Sequence, residues 1–171
     1  MKNILILTTT SDFLEKFEIE NVKILRDMGY CIHYASNTLK AQGIFDEEEV
    51  RSMDVRVHTI AIERSPYMFR YNYKALKEII EIVKENNIKV IHCHTPVGGL
   101  LGRLAGRYFK ARGLKIIYTA HGFHFYRGAP LLNNTMYYFV EKMMAHFTDV
   151  LIVINEEDYK KACKLHLKKG G

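Results

Sequence analysis

The sequence is poor in the residues and runs that mark several protein classes. Its three cysteines (Cys31, Cys93 and Cys163) are far apart and form no C-x-x-C pair, which favours a reducing compartment and a packing role. No apolar run is long enough to span a bilayer. The amino-terminal run MKNILILTTTSDF is too short for a signal peptide and lacks its cleavage site, so we expect a cytoplasmic protein.

Motifs for cofactors and for several enzyme classes are missing as well. The turn TTTSDF after the first apolar run has no G-x-G-x-x-G, and the chain contains neither a Walker motif nor G-x-S-x-G. A nicotinamide or flavin dinucleotide site is therefore not expected. We predict that the protein needs no cofactor.

The composition is that of one soluble domain with a basic surface. Of 171 residues, 48% are apolar and 26% are charged, as in ordinary globular proteins, and this length suffices for one domain with a core. The formal net charge of +6 favours phosphate-bearing substrates, an anionic membrane surface or nucleic acid, although solvated surface charge explains it equally well. No nucleic-acid recognition motif is present, so we expect no nucleic-acid partner.

Apolar strands alternate with amphipathic helices along the chain. Six strands are predicted, at residues 2–8, 30–35, 54–62, 89–93, 115–120 and 149–154. Helices are predicted at residues 13–28, 76–84, 97–111, 131–146 and 156–167, with a loop or short surface helix within 37–52. This alternation predicts an α/β fold, a Rossmann-like, doubly wound, mainly parallel sheet with helices on both faces, as a single domain over residues 1–171.

The expected strand order is 3-2-1-4-5-6, in which the first and fourth strands are neighbours. In open parallel sheets, ligands bind beyond the carboxyl ends of the strands where the order reverses. Residues 8–11, 92–99 and 120–124 would then wall one crevice. The stretches KVIHCHTPVGGLLGR and YTAHGFH both contribute to it.

His92 and His94 are the first candidate residues of this crevice. They lie two apart on a strand, so their side chains share a face while Cys93 points to the other. Two such imidazoles could bind a metal, but no carboxylate or third ligand is close in sequence. We predict no metal, with one histidine buried and hydrogen-bonded and the other facing the crevice.

The segment TPVGG opens the next helix. Thr95 is placed to cap it, and Pro96 suits its first turn. Gly98 and Gly99 leave the backbone bare at a helix N-terminus, which attracts anions such as phosphate. Close packing on the sheet is the alternative for these two glycines, and it is the favoured explanation for the later glycines of the helix.

His121 follows the fifth strand and precedes Gly122, so the chain turns sharply at the rim. A histidine there can titrate near neutrality or hydrogen-bond to a sugar or phosphate, or it can simply cap the strand end. The following loop, GFHFYRGAP, places Phe123 and other aromatics beside Arg127. Exposed aromatics next to an arginine suit an apolar phosphate ligand or a lipid headgroup region. The helix at 131–146 has more apolar residues than one buried stripe needs. The extra residues either enlarge the core or form a surface that faces a membrane or the acceptor.

Three segments together, IHCHTPVGGLLGRLAGR, IIYTAHGFHFYRGAP and TDVLIVINEEDYKKA, resemble the amino-terminal half of family 4 glycosyltransferases. The likeness is strongest to bacterial enzymes of capsule and exopolysaccharide assembly and covers essentially the whole chain. It implies one half of a GT-B enzyme, in which two Rossmann-like domains face each other across a cleft. Such enzymes transfer a sugar from a nucleotide-sugar with retention of configuration and need no metal.

The resemblance also implies roles for the candidate residues. His121 matches the histidine of the family's HG turn, at the reaction centre, and is the catalytic candidate. The amino-terminal half holds the acceptor, often a lipid-linked sugar, which implies a peripheral position at the inner face of an anionic membrane. The candidate substrate-binding residues are Thr9, Thr10, His92, His94, Thr95, Gly98, Gly99, Gly122, Phe123 and Arg127. Among them, the two threonines follow the first strand, where many relatives carry a glycine pair near the donor phosphates.

The family's paired glutamates, E-x7-E, which serve the nucleotide-sugar, do not occur in this chain. We therefore expect the carboxyl-terminal nucleotide-sugar domain to lie outside it, the chain being a domain excised from a longer enzyme rather than a natural subunit. A second function remains open. The chain could be a non-catalytic, flavodoxin-like binding module for an anionic partner.

Overall fold

The computed structural model describes residues 2–40, 45–125 and 131–167, with the side chains of residues 131–133 left aside. Within these ranges the strands are β1 (Lys2–Leu7), β2 (Tyr30–Ser36), β3 (Val55–Thr59), β4 (Ile88–His94), β5 (Lys115–Ala120) and β6 (Val150–Val153). The α-helices are α1 (Ile19–Asp27), α2 (Glu47–Ser52), α3 (Phe69–Glu85), α4 (Pro96–Arg107), α5 (Leu131–Ala145) and α6 (Glu156–Ala162).

The strands form one parallel sheet in the order β3-β2-β1-β4-β5-β6, which confirms the predicted topology. β1 is central, with Ile6 aligned to Tyr34 on one side and to His92 on the other. The carboxyl ends of β1 and β4 are therefore adjacent, where the strand order reverses and ligands bind in folds of this kind.

Helices cover both faces of the sheet, as predicted. On one face Ile4 packs with Leu14 and Val22, and on the other Leu5 packs with Ile79 of α3. Successive residues of β1 enter different cores because strand side chains alternate between faces, which explains the unbroken apolar run at the amino terminus.

Helix α4 lies very close to the sheet because its glycines carry no Cβ. A Cβ built on Gly102 would lie 2.8 Å from Cβ of Cys93, and one on Gly99 would overlap the ring of Tyr118. Gly106 meets a buried strand side chain in the same way. Close packing therefore accounts for Gly99 as well as for the later glycines.

Two helices differ from the expected pattern. The first one begins with a π-helical turn, Leu14–Glu18, before α1, and α3 begins at Phe69, well before the periodic apolar residues that predicted it. The short surface helix is present as α2. Within the described ranges, no helix is both long enough and apolar enough to cross a bilayer.

Candidate functional site

A cavity of about 530 Å³ opens at the carboxyl ends of β1 and β4, at the predicted position. Its walls come from the π-helical turn, the start of α4, helix α5 and the segment before α3. The apolar lining consists of Phe13, Phe17, Pro66, Pro96, Val97, Leu100, Met136, Tyr137 and Val140. The polar lining consists of Thr9, Thr10, Asp12, Lys16, Arg64, Thr95, His124 and Glu141. The cavity therefore offers an apolar wall with polar and cationic groups set into it.

Lys16 and Asp12 form an ion pair on this wall. The Lys16 Nζ lies 2.7 Å from Oδ2 of Asp12, and the lysine side chain is 54% exposed while the aspartate is 8% exposed. Burial acts to raise the pKa of Asp12, but the hydrogen bond and charge of Lys16 outweigh it and the pKa is lowered. Asp12 is thus ionised at neutral pH, and an anionic ligand would compete with it for Lys16.

Three histidines meet beside the cavity. His92 and His94 project from one face of β4, with ring centroids 4.2 Å apart, as their spacing predicted. Nε2 of His92 lies 2.9 Å from Oγ1 of Thr119, and Nδ1 of His94 lies 3.2 Å from Nε2 of His121. His94 is 1% exposed, His92 is half-buried and His121 is exposed. The buried member of the pair is therefore His94, and the ring it touches, His121, opens to solvent.

The π-helical turn and the residue that precedes it add Glu18 and Phe13 to this group. Because π-helical bonding joins residues five apart, Phe13 and Glu18 come one turn apart on the same side of the helix. The Phe13 ring contacts His94 at 5.3 Å and His121 at 5.0 Å between centroids. Oε1 of Glu18 lies 3.6 Å from Nδ1 of His94, and the glutamate is 3% exposed. We name Glu18, His92, His94 and His121 the histidine cluster.

Burial controls the charge of this cluster. It lowers the pKa of His94 to about 2 and that of His92 to about 4, and neighbouring histidines add to both shifts. Burial also lowers the pKa of His121, so the three imidazoles are neutral at pH 7. The pKa of Glu18 is raised by burial, against the hydrogen bond from Asn21. Hydrogen bonding, rather than titration near neutrality, is the chemistry this arrangement offers at His121.

By distance alone, part of the cluster could hold a metal ion. One ligand atom each from Glu18, His92 and His94 lies within 4.8 Å of the others. A ring nitrogen of each histidine is already engaged, with Thr119 for His92 and with His121 for His94. These contacts describe a hydrogen-bonded group, and the expectation of no metal stays a prediction.

A buried ion pair lies on the other side of the cavity. Arg103 is 1% exposed and donates from Nη1 and Nη2 to the two carboxylate oxygens of Glu141, at 2.7 and 3.0 Å. Its Nε donates to the carbonyl of Gly99 at 2.8 Å, and its guanidinium lies 4.1 Å from the ring centroid of Tyr118. Burial acts to lower the pKa of Arg103, but Glu141 outweighs it and raises that pKa. This pair joins α4 to α5, and Glu141 reaches the cavity wall.

Thr95 does not cap α4, contrary to the prediction. Its φ is +62° and it makes no capping hydrogen bond, because a cap needs extended backbone dihedrals. Its Oγ1 is buried without a hydrogen-bond partner in the described part of the chain. A Cβ built on Gly98 would lie 2.9 Å from that oxygen, so Gly98 makes room for Thr95. A β-branched residue at positive φ stores strain of the kind found at ligand sites.

The turn after β5 is confirmed in part. Gly122 has φ of +129°, a conformation that favours glycine. Phe123 is 7% exposed and stacks on the buried Phe125, so the expectation of exposed aromatics here was wrong. The Phe123 N–H donates to Asp158 at 3.1 Å, which turns the loop inward. Arg127 lies outside the described residues.

Several site residues have no clear signal in the sequence. Glu18 falls among alternating acidic and apolar residues of an apparent α-helix, and only the π-helical turn brings it to His94. Arg103 and Glu141 lie 38 residues apart. In the sequence each looks like an ordinary charged residue on the surface of a helix. A hint was available for Lys16, whose i, i+4 spacing from Asp12 is typical of helical ion pairs.

Comparison with known proteins identifies the class. The chain matches the family described as "Glycosyl transferase 4-like" over residues 3–155. It is 38% identical over 170 residues to "Putative glycosyltransferase EpsD" of Bacillus subtilis (strain 168), an alignment that covers 99% of this chain and 42% of that protein. The chain thus spans less than half the length of this relative.

Solved structures agree in fold. The sucrose-phosphate synthase of Thermosynechococcus elongatus matches with a TM-score of 0.63 at 13% identity, covering all of this chain and 85% of that one. MurG of Acinetobacter baumannii matches with a TM-score of 0.60 at 13% identity, covering 92% of this chain and 42% of that one. These likenesses show a Rossmann-like domain of the GT-B type. With a family match over most of its length, the chain belongs to the glycosyl transferase 4-like family.

Proposed function

We propose that the chain is the acceptor-binding half of a retaining glycosyltransferase, which moves a sugar from a nucleotide-sugar to a lipid-linked or polysaccharide-precursor acceptor in capsule or exopolysaccharide synthesis. The observation that carries this proposal is the amphipathic cavity at the rim of the sheet. Family membership supports the class of reaction. The nucleotide-sugar would bind mainly to a second domain, outside this chain.

The cavity suits an acceptor that is part apolar and part charged. Apolar side chains such as Phe17, Leu100 and Val140 would cover a hydrocarbon segment, each fully covered side chain contributing roughly 1.5–3 kcal/mol. Lys16 and Arg64, in the same wall, supply positive charge for a phosphate. The hydroxyls of Thr9 and Thr10 supply hydrogen bonds for a sugar.

His121 stands at the boundary of this cavity. It is not part of the lining, but its ring contacts Phe13, which is. A polar group of the acceptor that projects past Phe13 would reach the exposed histidine ring. In this position His121 would hydrogen-bond to the reacting groups, a role that contributes on the order of a hundredfold or more in rate.

The proposed acceptor is bound to lipid, so the cavity must reach a membrane. The segment beside its mouth, residues 64–77, contains four basic residues and no acidic one. Its exposed side chains include Tyr67 at 67% and Phe69 at 73%. Arg64 and Pro66 of this segment also line the cavity. Aromatic and basic residues together are typical of surfaces that lie in a lipid headgroup region.

Helix α5 extends the same rim. Met136, Phe139 and Met143 are 41%, 60% and 57% exposed, and their spacing places them along one side of the helix. This favours the outward-facing alternative for the apolar excess of α5. We propose that the segment 64–77 and this stripe contact an anionic membrane, in place of the loop around Phe123.

Filling the cavity tests the proposal. Leu100→Trp would occupy the space of the hydrocarbon segment, and we expect it to reduce binding of a polyprenyl-diphosphate sugar at least tenfold. Tyr108→Trp, at a residue 69% exposed at the far end of α4, is the matched control. Binding that survives Leu100→Trp with the fold intact would place the acceptor elsewhere.

A second measurement tests whether the nucleotide-sugar binds mainly to the other domain. Orientation of donor and acceptor in one cleft supplies up to roughly 7–11 kcal/mol of the barrier reduction, and this chain has no E-x7-E pair to hold the donor. We expect residues 1–171 alone to show no measurable sugar transfer and only weak binding of UDP-sugars by calorimetry. Tight donor binding or real turnover would contradict the acceptor-side assignment.

A further inference from the structure

The two ring nitrogens of His94 have different surroundings. Nδ1 lies 3.2 Å from Nε2 of His121 and 3.6 Å from Oε1 of Glu18, whereas Nε2 is buried and without a hydrogen-bond partner among residues 2–40, 45–125 and 131–167. A neutral imidazole carries one N–H. An unpaired N–H in the interior is rarer and more costly than an unpaired acceptor, so the proton belongs on Nδ1.

Glu18 favours the same arrangement. Its Oε2 accepts from Nδ2 of Asn21 at 3.0 Å, which leaves Oε1 directed at Nδ1 of His94. A carboxylate oxygen at this distance attracts a proton on the near nitrogen more than on the far one. The Phe13 ring, packed against His94 and His121, holds both imidazoles in these orientations.

The tautomer of His94 determines that of His121. When Nδ1–H of His94 donates to Nε2 of His121, that nitrogen is an acceptor and its ring must carry its own proton on Nδ1. In the described part of the chain, Nδ1 of His121 has no hydrogen-bond partner, and the side chain is exposed. The Nδ1–H of His121 is thus a hydrogen-bond donor on the exposed side of the ring.

We propose that His94, supported by Glu18, is a positioning residue that holds His121 as the Nδ1–H tautomer, so that His121 donates a hydrogen bond to an oxygen of the bound substrate. The oxygen is a hydroxyl or phosphate oxygen, which accepts this hydrogen bond through a lone pair. This deepens the proposed function and depends on it only for the identity of that oxygen.

Nuclear magnetic resonance measures the tautomers directly, without substrate. In the 171-residue chain labelled with ¹⁵N-histidine at pH 7, we expect long-range ¹H–¹⁵N spectra to show the proton on Nδ1 for both His94 and His121. In His94→Leu, whose side chain neither donates nor accepts, His121 should change to a mixture of both tautomers. The control is His146→Leu, at an exposed histidine just after α5 that contacts the carbonyl of Lys142, and it should leave His121 unchanged.

The wild-type spectrum is decisive even if His94→Leu does not fold. A proton on Nε2 of His121, or a His121 tautomer that is the same in wild type and in folded His94→Leu, would overturn the proposal. A stoichiometric Zn²⁺ complex through Nδ1 of His94 would also overturn it, because that nitrogen would then offer a lone pair. Because no sugar is transferred in this experiment, its failure is distinct from failure of the proposed glycosyl transfer.

Discussion

Two groups of interacting polar side chains flank the cavity, and they are built differently. The pair of Arg103 and Glu141 makes two charge-assisted hydrogen bonds, a third to a carbonyl, and a stacking contact with Tyr118. The histidine cluster holds a carboxylate, Glu18, with one amide donor and a neutral imidazole at 3.6 Å. It also contains a buried nitrogen of His94 that has no hydrogen-bond partner among the described residues. The charged atoms of Arg103 and Glu141 are paired and hydrogen-bonded, whereas the polar atoms of Glu18 and His94 are only partly hydrogen-bonded.

This difference indicates which group stabilises the fold and which one is available to a ligand. Buried charges cost several kcal/mol unless they are paired with good geometry, and Arg103 and Glu141 meet that condition while they join two helices. A polar group that is only partly satisfied destabilises the fold, and such groups persist mainly where they bind or react. We therefore propose that the ion pair contributes to stability and that the histidine cluster belongs to the site.

The largest expected effect is on the ion pair. Arg103→Ala leaves Glu141 buried without its partner, which should lower the free energy of unfolding by about 3–5 kcal/mol, measured by urea denaturation. The double variant Arg103→Met with Glu141→Leu removes both charges and should recover much of that loss. A single variant as stable as wild type would remove the contrast between the two groups.

The next largest effect is a loss of activity on substitution of His121 in the histidine cluster. In the longer enzyme that we propose to contain this domain, His121→Ala should reduce turnover on the order of a hundredfold or more, with little change in the melting temperature because the ring is exposed. His146→Ala is the control. Equal losses of stability and activity would make His121 a structural residue instead.

The third effect is on the pH dependence of stability, which tests whether His94 is buried as a neutral ring. Burial lowers the folded-state pKa of His94 to about 2, from the ordinary value of 6.5. The unfolded chain therefore binds this proton first, and stability present above pH 6.5 is lost as the pH falls toward the folded-state pKa, by up to about 1.4 kcal/mol per pH unit for one proton.

Denaturation curves between pH 7 and pH 4.5 check this expectation. The slope of unfolding free energy against pH should be smaller in His94→Gln than in wild type, while the exposed His146→Gln should match wild type. Burial also lowers the pKa values of His33 and His92 to about 4 and those of His58 and His121, so these histidines contribute to the slope as well. An identical slope in His94→Gln would show that His94 is not buried as a neutral ring.

The smallest effect concerns the rim of the cavity. Co-sedimentation with liposomes should increase with anionic lipid and fall with salt, because exposed charges are screened beyond about 10 Å at 0.1 M. Replacing Tyr67 and Phe69 by serine should weaken it severalfold, while Tyr108→Ser, at a surface remote from the cavity lining, should not. Equal binding to neutral vesicles would argue against an anionic membrane surface.

The sequence alone determined the sheet and its order. Apolar strands separated by amphipathic helices need crossover connections, which favour a parallel sheet with the first and fourth strands adjacent. Period-two alternation placed His92 and His94 on one face, and the Gly122 turn followed from local backbone requirements. The shared face of the histidines and the turn depend on neighbours within a few residues, and the strand order is the usual one for a chain with this alternation of strands and helices.

Only the tertiary structure decided what the site contains. Glu18 lies 76 positions before His94, and its contact depends on a π-helical turn that the α-helical pattern conceals. Phe123 is buried because Asp158, 35 residues further on, binds its N–H, although its own loop predicts exposure. Burial, pairing and protonation state are set by side chains packed from distant parts of the chain, since desolvation acts on the folded whole and not on a local segment.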